Sequence, residues 1–171
     1  MASDDRPDIH LPQCIQSAGL AVSYLQVGKG SVKSLRSSPF PVSGKMINID
    51  KQIAYWRQGA CEDWEVAQEL VDRGRIRHGL FFAHLALEKM LKAHVCKQTR
   101  DLAPRTHDLI DLAKLTGLDF GEQYLYAMGE INRFNVEGRY PGFLPASPTQ
   151  AQARCYVQQA QEILLWLTNQ L

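Results

Sequence analysis

The stretch from His78 to Lys97, HGLFFAHLALEKMLKAHVCK, constrains the fold more than any other part of the chain. Leu80, Ala83, Leu87 and Leu91 recur at i, i+3, i+7 and i+11, the spacing of a buried helical stripe. Phe81, Phe82, Leu85, Ala86 and Met90 fill most of the remaining circumference. A helix that is apolar on nearly all sides has neighbours on nearly all sides, so this segment reads as the central helix of a bundle. Glu88, Lys89 and Lys92 interrupt the apolar surface. Glu88 and Lys92 form an i, i+4 pair in the favourable order, and His84 lies one turn before Glu88 on the same face. A polar group buried without a partner costs about 1–3 kcal/mol, so these side chains require partners from elsewhere in the chain.

The sequence on either side supplies helices to cover this one. A first helix is expected from Asn48 or Asp50 to Asp72, with Asn48 as N-cap and Gly74 ending it. Its inward stripe is Ile53, Trp56, Ala60, Trp64, Ala67, Leu70 and Val71, and Glu62, Asp63, Glu65 and Glu69 occupy the outer surface. Arg73, Arg75 and Arg77 then form a basic turn, read as solvated rather than as a phosphate contact. A short third helix, HDLIDLAKLTG, is expected to be capped by Thr106 and ended by Gly117, with Leu109, Leu112, Ala113 and Leu115 on its apolar side. A fourth runs from about Gly121 to Phe134, with Tyr124, Leu125, Met128 and Ile131 inward. Two glycines and three prolines between Gly138 and Pro148 oppose its continuation. The last helix runs from about Thr149 to Asn169, with Ala153, Tyr156, Val157, Ala160, Ile163, Leu164 and Leu167 inward. No strand pattern competes after residue 46, and the connections are short. The expected fold is an all-α, antiparallel up-and-down bundle of four to five helices.

Residues 1–45 differ from the rest, with frequent Ser, Gly and Pro, and read as a disordered extension preceding a 46–171 bundle domain. Within them only Cys14–Leu25 has a weak amphipathic pattern, and Met46 offers an alternative start. The 171 residues suit one domain, and a net charge of +1 announces no bulk attraction to nucleic acid. Residues 1–45 carry net +2 (five basic, three acidic) and residues 46–171 net −1 (fourteen basic, fifteen acidic), so any nucleic-acid affinity must be local. Cys14, Cys61, Cys96 and Cys155 are not spaced for zinc or a disulfide framework, and read as buried thiols of a reducing compartment. An acidic MASDDRPD start and no long apolar run argue against secretion and membrane insertion, which leaves the cytoplasm.

Catalytic templates are largely missing. There is no glycine-rich phosphate loop, no GxSxG, no HExxH and no pair of histidines spaced for a metal, so neither cofactor nor metal is expected. Two segments stand apart. Thr106-His107-Asp108 opens the third helix, and His107 is placed to reach the bundle. Asn132 to Pro141, NRFNVEGRYP, carries Arg133, Arg139 and Tyr140 before a proline that favours extended backbone. Arg139 is the expected bidentate partner of Glu88; alternatively Arg133 and Arg139 line a phosphate or nucleotide pocket.

Three of these motifs together resemble the HEPN domain family: HLALEKMLKAHV in the second helix, THDL at 106–109, and INRFNVEGRYPG at 131–142. The resemblance covers residues 46–171 and implies a compact all-α bundle. It also implies homodimers, and work beside a minimal nucleotidyltransferase in a toxin–antitoxin-like pair. Some members of the family are metal-independent ribonucleases with an Arg-x(4–6)-His motif. This chain departs from that motif: Arg133 is followed six positions on by Arg139, and no histidine follows within reach. Arg stays protonated and cannot act as a general base. The branch with RYP at 139–141 therefore reads as a non-catalytic module that binds a nucleotide or RNA through Arg133, Arg139, Tyr140 and Asn132, with Glu88 and Lys89 beneath. The alternative is a ribonuclease with an altered centre, in which Arg133 and Arg139 stabilise phosphate charge and His107 supplies the proton.

Overall fold

A computed structural model describes residues 47–140 and 147–171 of the chain. Among them are five helices and no strand: α1 (Ile49–Asp72), α2 (Ile76–Thr99), α3 (Leu109–Leu115), α4 (Glu122–Arg139) and α5 (Gln150–Gln170). The all-α bundle expected from the periodicity is the fold observed. The N-terminal extension, its amphipathic piece and the Met46 start lie outside the described residues.

Helix α2 is central because apolar residues occupy nearly the whole circumference of its middle turns. Fourteen of its 24 residues are buried, and it packs against all four other helices. Its Leu80, Leu87, Met90 and Leu91 meet Ala60, Trp64, Ala67 and Val71 of α1, Leu109 and Leu112 of α3, Met128, Ile131 and Phe134 of α4, and Ile163 and Leu167 of α5 in one continuous core. The α1–α2 hairpin is the tightest contact. Gly79 lies so close to α1 that a Cβ there would fall 2.9 Å from the Ala67 carbonyl oxygen and 2.9 Å from the Val71 nitrogen, both backbone atoms with little freedom to move. Gly74 turns the chain between the two helices at φ +72°.

The helix ends follow local chemistry, with two departures from the sequence reading. Asn48 caps α1 by accepting from the Lys51 amide at 2.9 Å. Thr149 closes a capping box with Gln152 at the start of α5. At α3 the cap is Asp108 rather than Thr106. The Asp108 carboxylate accepts from the Ile110 and Asp111 amides at 2.9 and 3.0 Å, while Thr106 Oγ1 accepts from the Asp108 amide one step earlier. A carboxylate at the cap also interacts favourably with the positive end of the helix dipole, which an uncharged hydroxyl does only weakly. The second departure is that α4 runs past Phe134 to Arg139. Gly138 weakens a helix without ending it, whereas Tyr140, restricted by the proline after it, leaves helical geometry at φ −126°, ψ 75°.

Burial also differs in detail. Asp63 is buried on the inner side of α1, not on its acidic outer surface. Leu115 and Leu125 face solvent, whereas Ala127 and Phe134 take inward positions on α4. Among the described cysteines Cys96 is buried, Cys61 half-buried and Cys155 exposed, and Cys14 lies outside the described residues. Among the described residues no helix is long and apolar enough to cross a membrane.

Candidate functional site

The face of α2 that carries His84, Glu88 and Lys92 is buried, and its charges are spent on one another. Lys92 Nζ donates to Glu88 Oε1 at 2.7 Å, and both side chains are more than nine-tenths buried. The same ammonium lies 5.1 Å from the centroid of the Trp56 ring, whose π-face favours a cation in an otherwise apolar setting. The opposite side of the carboxylate is met by His107 from the loop before α3. His107 Nδ1 is 3.1 Å from both Glu88 oxygens, so that nitrogen donates to the carboxylate. The expected Arg139–Glu88 pair does not form. An i+4 lysine reaches Glu88 without a loop having to close, and a histidine held by the α3 cap approaches from the other side.

The segment carrying His107 is fixed from several directions. The fully buried His84 donates from Nε2 to the His107 carbonyl at 3.1 Å. Asn132 of α4 accepts from the Leu109 amide through Oδ1 at 2.9 Å. Asn132 therefore closes α4 against the start of α3, and this bond is structural. Burial holds the His84 imidazole below the usual histidine range, against weaker opposing effects of Glu88, the His107 carbonyl and Asn132. At Asp108 burial alone would raise the carboxyl, but the amides of Asp111 and Ile110 and the Asn132 side chain outweigh it and hold it low.

Lys89, one residue after Glu88, points elsewhere. A step of 100° around the helix turns it to α1, where Nζ lies 2.7 Å from Asp63 Oδ2 and donates to the Gly59 carbonyl at 3.3 Å. Desolvation raises the Asp63 carboxyl above its usual range, and Lys89 partly offsets that. Glu88 and Lys89 thus do not line one pocket. A shallow cleft of about 190 Å³ does lie over Lys89, lined also by Tyr55, Gln58, Gly59 and Glu62.

The other predicted residues gather at the C-terminal end of α4. Arg133 is half-buried; its Nε donates to Glu137 Oε1 at 3.2 Å, and a terminal nitrogen lies 3.7 Å from Glu130 Oε2. Glu137 is itself buried, so Arg133 is largely occupied with neutralising it. Arg139 is exposed, with its guanidinium 5.9 Å from the centre of the Phe81 ring. Tyr140 is 63% exposed beside it. Sequence reasoning grouped these residues with Glu88, Lys89 and Asn132; in the fold they divide into a buried cluster, an α1-facing pair and an exposed helix end.

Asp63 and Trp56 were missed as site neighbours. Asp63 was legible in part, because it shares the inward position with Trp64 between Ala60 and Ala67. No local signal marks Trp56 as the ring beneath Lys92. Among the described residues no group of His, Cys, Asp and Glu is arranged to hold a metal ion.

Comparison with known proteins agrees with this fold. The crystal structure of TT1696 from Thermus thermophilus is 25% identical in sequence and superposes with a TM-score of 0.61 over 70% of this chain and 98% of that one. The crystal structure of ST0689, described as an archaeal HEPN homologue, is 20% identical and superposes at 0.55 over 73% of this chain and 98% of that one. A comparison with curated proteins gives no match. The sequence profile of the HEPN domain matches residues 53–170, a span that contains all of α2 to α5 and most of α1. The chain belongs to the HEPN domain family.

Proposed function

We propose that this HEPN domain is a cytoplasmic binding module that engages a nucleotide or RNA through the C-terminal end of α4. It works there as a homodimer beside a minimal nucleotidyltransferase, in a toxin–antitoxin-like pair of the RYP branch. The observation that carries this reading is the pairing of an exposed guanidinium with exposed aromatic surface. Arg139 sits over Phe81 with Tyr140 adjacent, and no carboxylate among the described residues holds Arg139 in an ion pair. Arginine offers a planar fork to phosphate and tyrosine a face on which a base stacks. Arg133 contributes at the edge of this surface, restrained by Glu130 and Glu137.

The dimer has its own support on the same helix. Tyr126, Gly129, Arg133, Val136 and Tyr140 succeed one another at intervals of three and four, the spacing of a helix–helix seam. Tyr126, Val136 and Tyr140 are exposed, and Gly129 has open space before it that lets another backbone approach. A second copy seated on this stripe would bring two Arg139 side chains to one ligand.

The test is titration of a short RNA and of a mononucleotide into the protein and into Arg139→Ala, with mass measured by light scattering for the protein and for Val136→Glu. Binding weakened several-fold in the first variant and a monomer in the second are expected. Unchanged binding in Arg139→Ala contradicts the site, and a monomeric native protein contradicts the seam. Co-purification with a coexpressed minimal nucleotidyltransferase tests the partner. The family's Arg-x(4–6)-His centre has no histidine here, and the ribonuclease reading keeps one support, the geometry of His107.

A further inference from the structure

Away from the end of α4, the α1–α2 hairpin holds a polar arrangement that packing does not account for. Asp63 is buried on the inner side of α1, among the core positions Ala60, Trp64 and Ala67. Lys89 Nζ lies 2.7 Å from its Oδ2, yet that enclosed oxygen accepts no well-aligned hydrogen bond. Apolar side chains of the same volume commonly hold two helices together as well as a buried ion pair does, or better. Gly59, in the middle of α1, is a second departure. Glycine weakens a helix interior, and Gly59 has no positive φ that would require it. What its missing side chain provides is room: a Cβ there would fall 3.2 Å from Lys89 Cδ and 3.3 Å from Nζ. Gly59 thus lets the lysine lie across α1 and leaves the cleft of about 190 Å³ open above it.

The groups lining this cleft carry both signs. Lys89 Nζ has three hydrogens: the Gly59 carbonyl accepts one at 3.3 Å and Asp63 lies against another. The lysine side chain is 27% exposed, so the third hydrogen remains for the cleft. On the wall, Glu62 has one oxygen taken by Gln58 Nε2 at 2.9 Å. Among the described residues neither its second oxygen nor the Gln58 carbonyl oxygen meets a donor. Lys89 and Asp63 cancel in charge, so Glu62 leaves the cleft with one negative charge in excess. That excess repels a lone anion, and a lone cation leaves the lysine donor unused. A molecule carrying an ammonium beside a carboxylate uses both.

We propose that this cleft binds a small zwitterion of the α-amino acid class, its carboxylate on Lys89 and its ammonium on Glu62 and Gln58. The volume is that of about six waters, which suits a free amino acid and not a nucleotide. Tyr55, 66% exposed and also lining the cleft, offers its ring to an apolar side chain of the ligand. The inference is independent of the end of α4 and goes beyond the binding proposed there.

The test is calorimetric titration of L-phenylalanine into the full chain, beside its amide, which lacks the carboxylate, and its N-acetyl derivative, which lacks the ammonium. The native protein should bind L-phenylalanine saturably at one site per chain, and each derivative should bind about 10-fold more weakly or worse. Gly59→Ala should lose the binding while melting at an unchanged or higher temperature, because alanine suits a helix interior better than glycine. Glu62→Gln, at an exposed position, should weaken binding by about 10-fold. Because Lys89→Ala strands the buried Asp63, the lysine is tested as Lys89→Gln with Asp63→Asn, which removes both charges together and should abolish binding. A native protein that shows no saturable binding overturns the proposal. So do equal binding of the amide and the N-acetyl derivative, or undiminished binding in Gly59→Ala.

Discussion

The two polar regions of this bundle are built from similar residues and spend their charge in opposite ways. On α2, Glu88 and Lys92 are buried, satisfied by each other and by His107, and enclosed by Trp56 and His84. At the end of α4, Arg139 and Tyr140 face water, and what holds Arg139 is the Phe81 ring rather than a carboxylate. Arg133 stands between the two regimes: half-exposed, but the counter-charge of the buried Glu137. Charge alone therefore does not mark a site. Burial decides whether a truncation is felt as lost stability or as lost binding, because an uncompensated charge is costly only where water cannot reach it.

The largest expected effect comes from breaking the buried side. Glu88→Ala leaves Lys92 enclosed without its carboxylate and should cost about 3–5 kcal/mol in urea unfolding. A loss below about 1 kcal/mol would mean that water reaches the pair. Arg133→Ala should fall between the regimes, at about 1–3 kcal/mol, because it orphans the buried Glu137. Urea unfolding of the variant beside the native protein reads this loss, and a value near zero would mean that water reaches Glu137.

A pH titration of the native protein sharpens the same contrast. His84 and His94 are both held below the ordinary histidine value of 6.5, chiefly by burial. The unfolded chain then takes up protons at a pH where the folded one does not. Stability contributed by these neutral rings is fully present above about pH 6.5 and is lost as pH falls below it. The melting temperature should therefore decline from pH 7 towards pH 5, and His94→Gln should flatten part of that decline if it keeps the bond to the Leu167 carbonyl, now 2.9 Å long. A melting temperature that rises over this interval would contradict the burial of both rings. The smallest stability effect is expected at Arg139→Ala, within about 0.5 kcal/mol, as for surface positions generally.

Much of the fold was legible because periodicity reports burial directly. The near-uniform apolar surface of residues 78–97 required a central helix, and α2 is one. Asn48, Gly74, Gly117 and Thr149 marked ends through their own side chains or positive φ, and all four do so in the structure. The errors arose where long-range geometry decides. Nothing near Asp63 in sequence announces that Lys89, 26 positions on, will meet it across the hairpin. Arg139 was assigned to Glu88 from chemistry alone, without knowing that α4 continues through Gly138 and carries the guanidinium to Phe81. The candidate site was legible as a set of residues but not as a grouping, because helical phase separates Glu88 from Lys89 and places Asn132 in a structural bond.

The most direct test of the division between a structural core and a ligand-facing helix end is the binding of a short single-stranded RNA to the native protein and to Arg139→Ala. Both should be measured over a series of salt concentrations, with melting curves recorded on the same samples. Removal of a phosphate contact should weaken binding several-fold and reduce the salt slope by about one, with melting unchanged. Identical affinity and slope in the two proteins, or a melting temperature that collapses with Arg139, would contradict it.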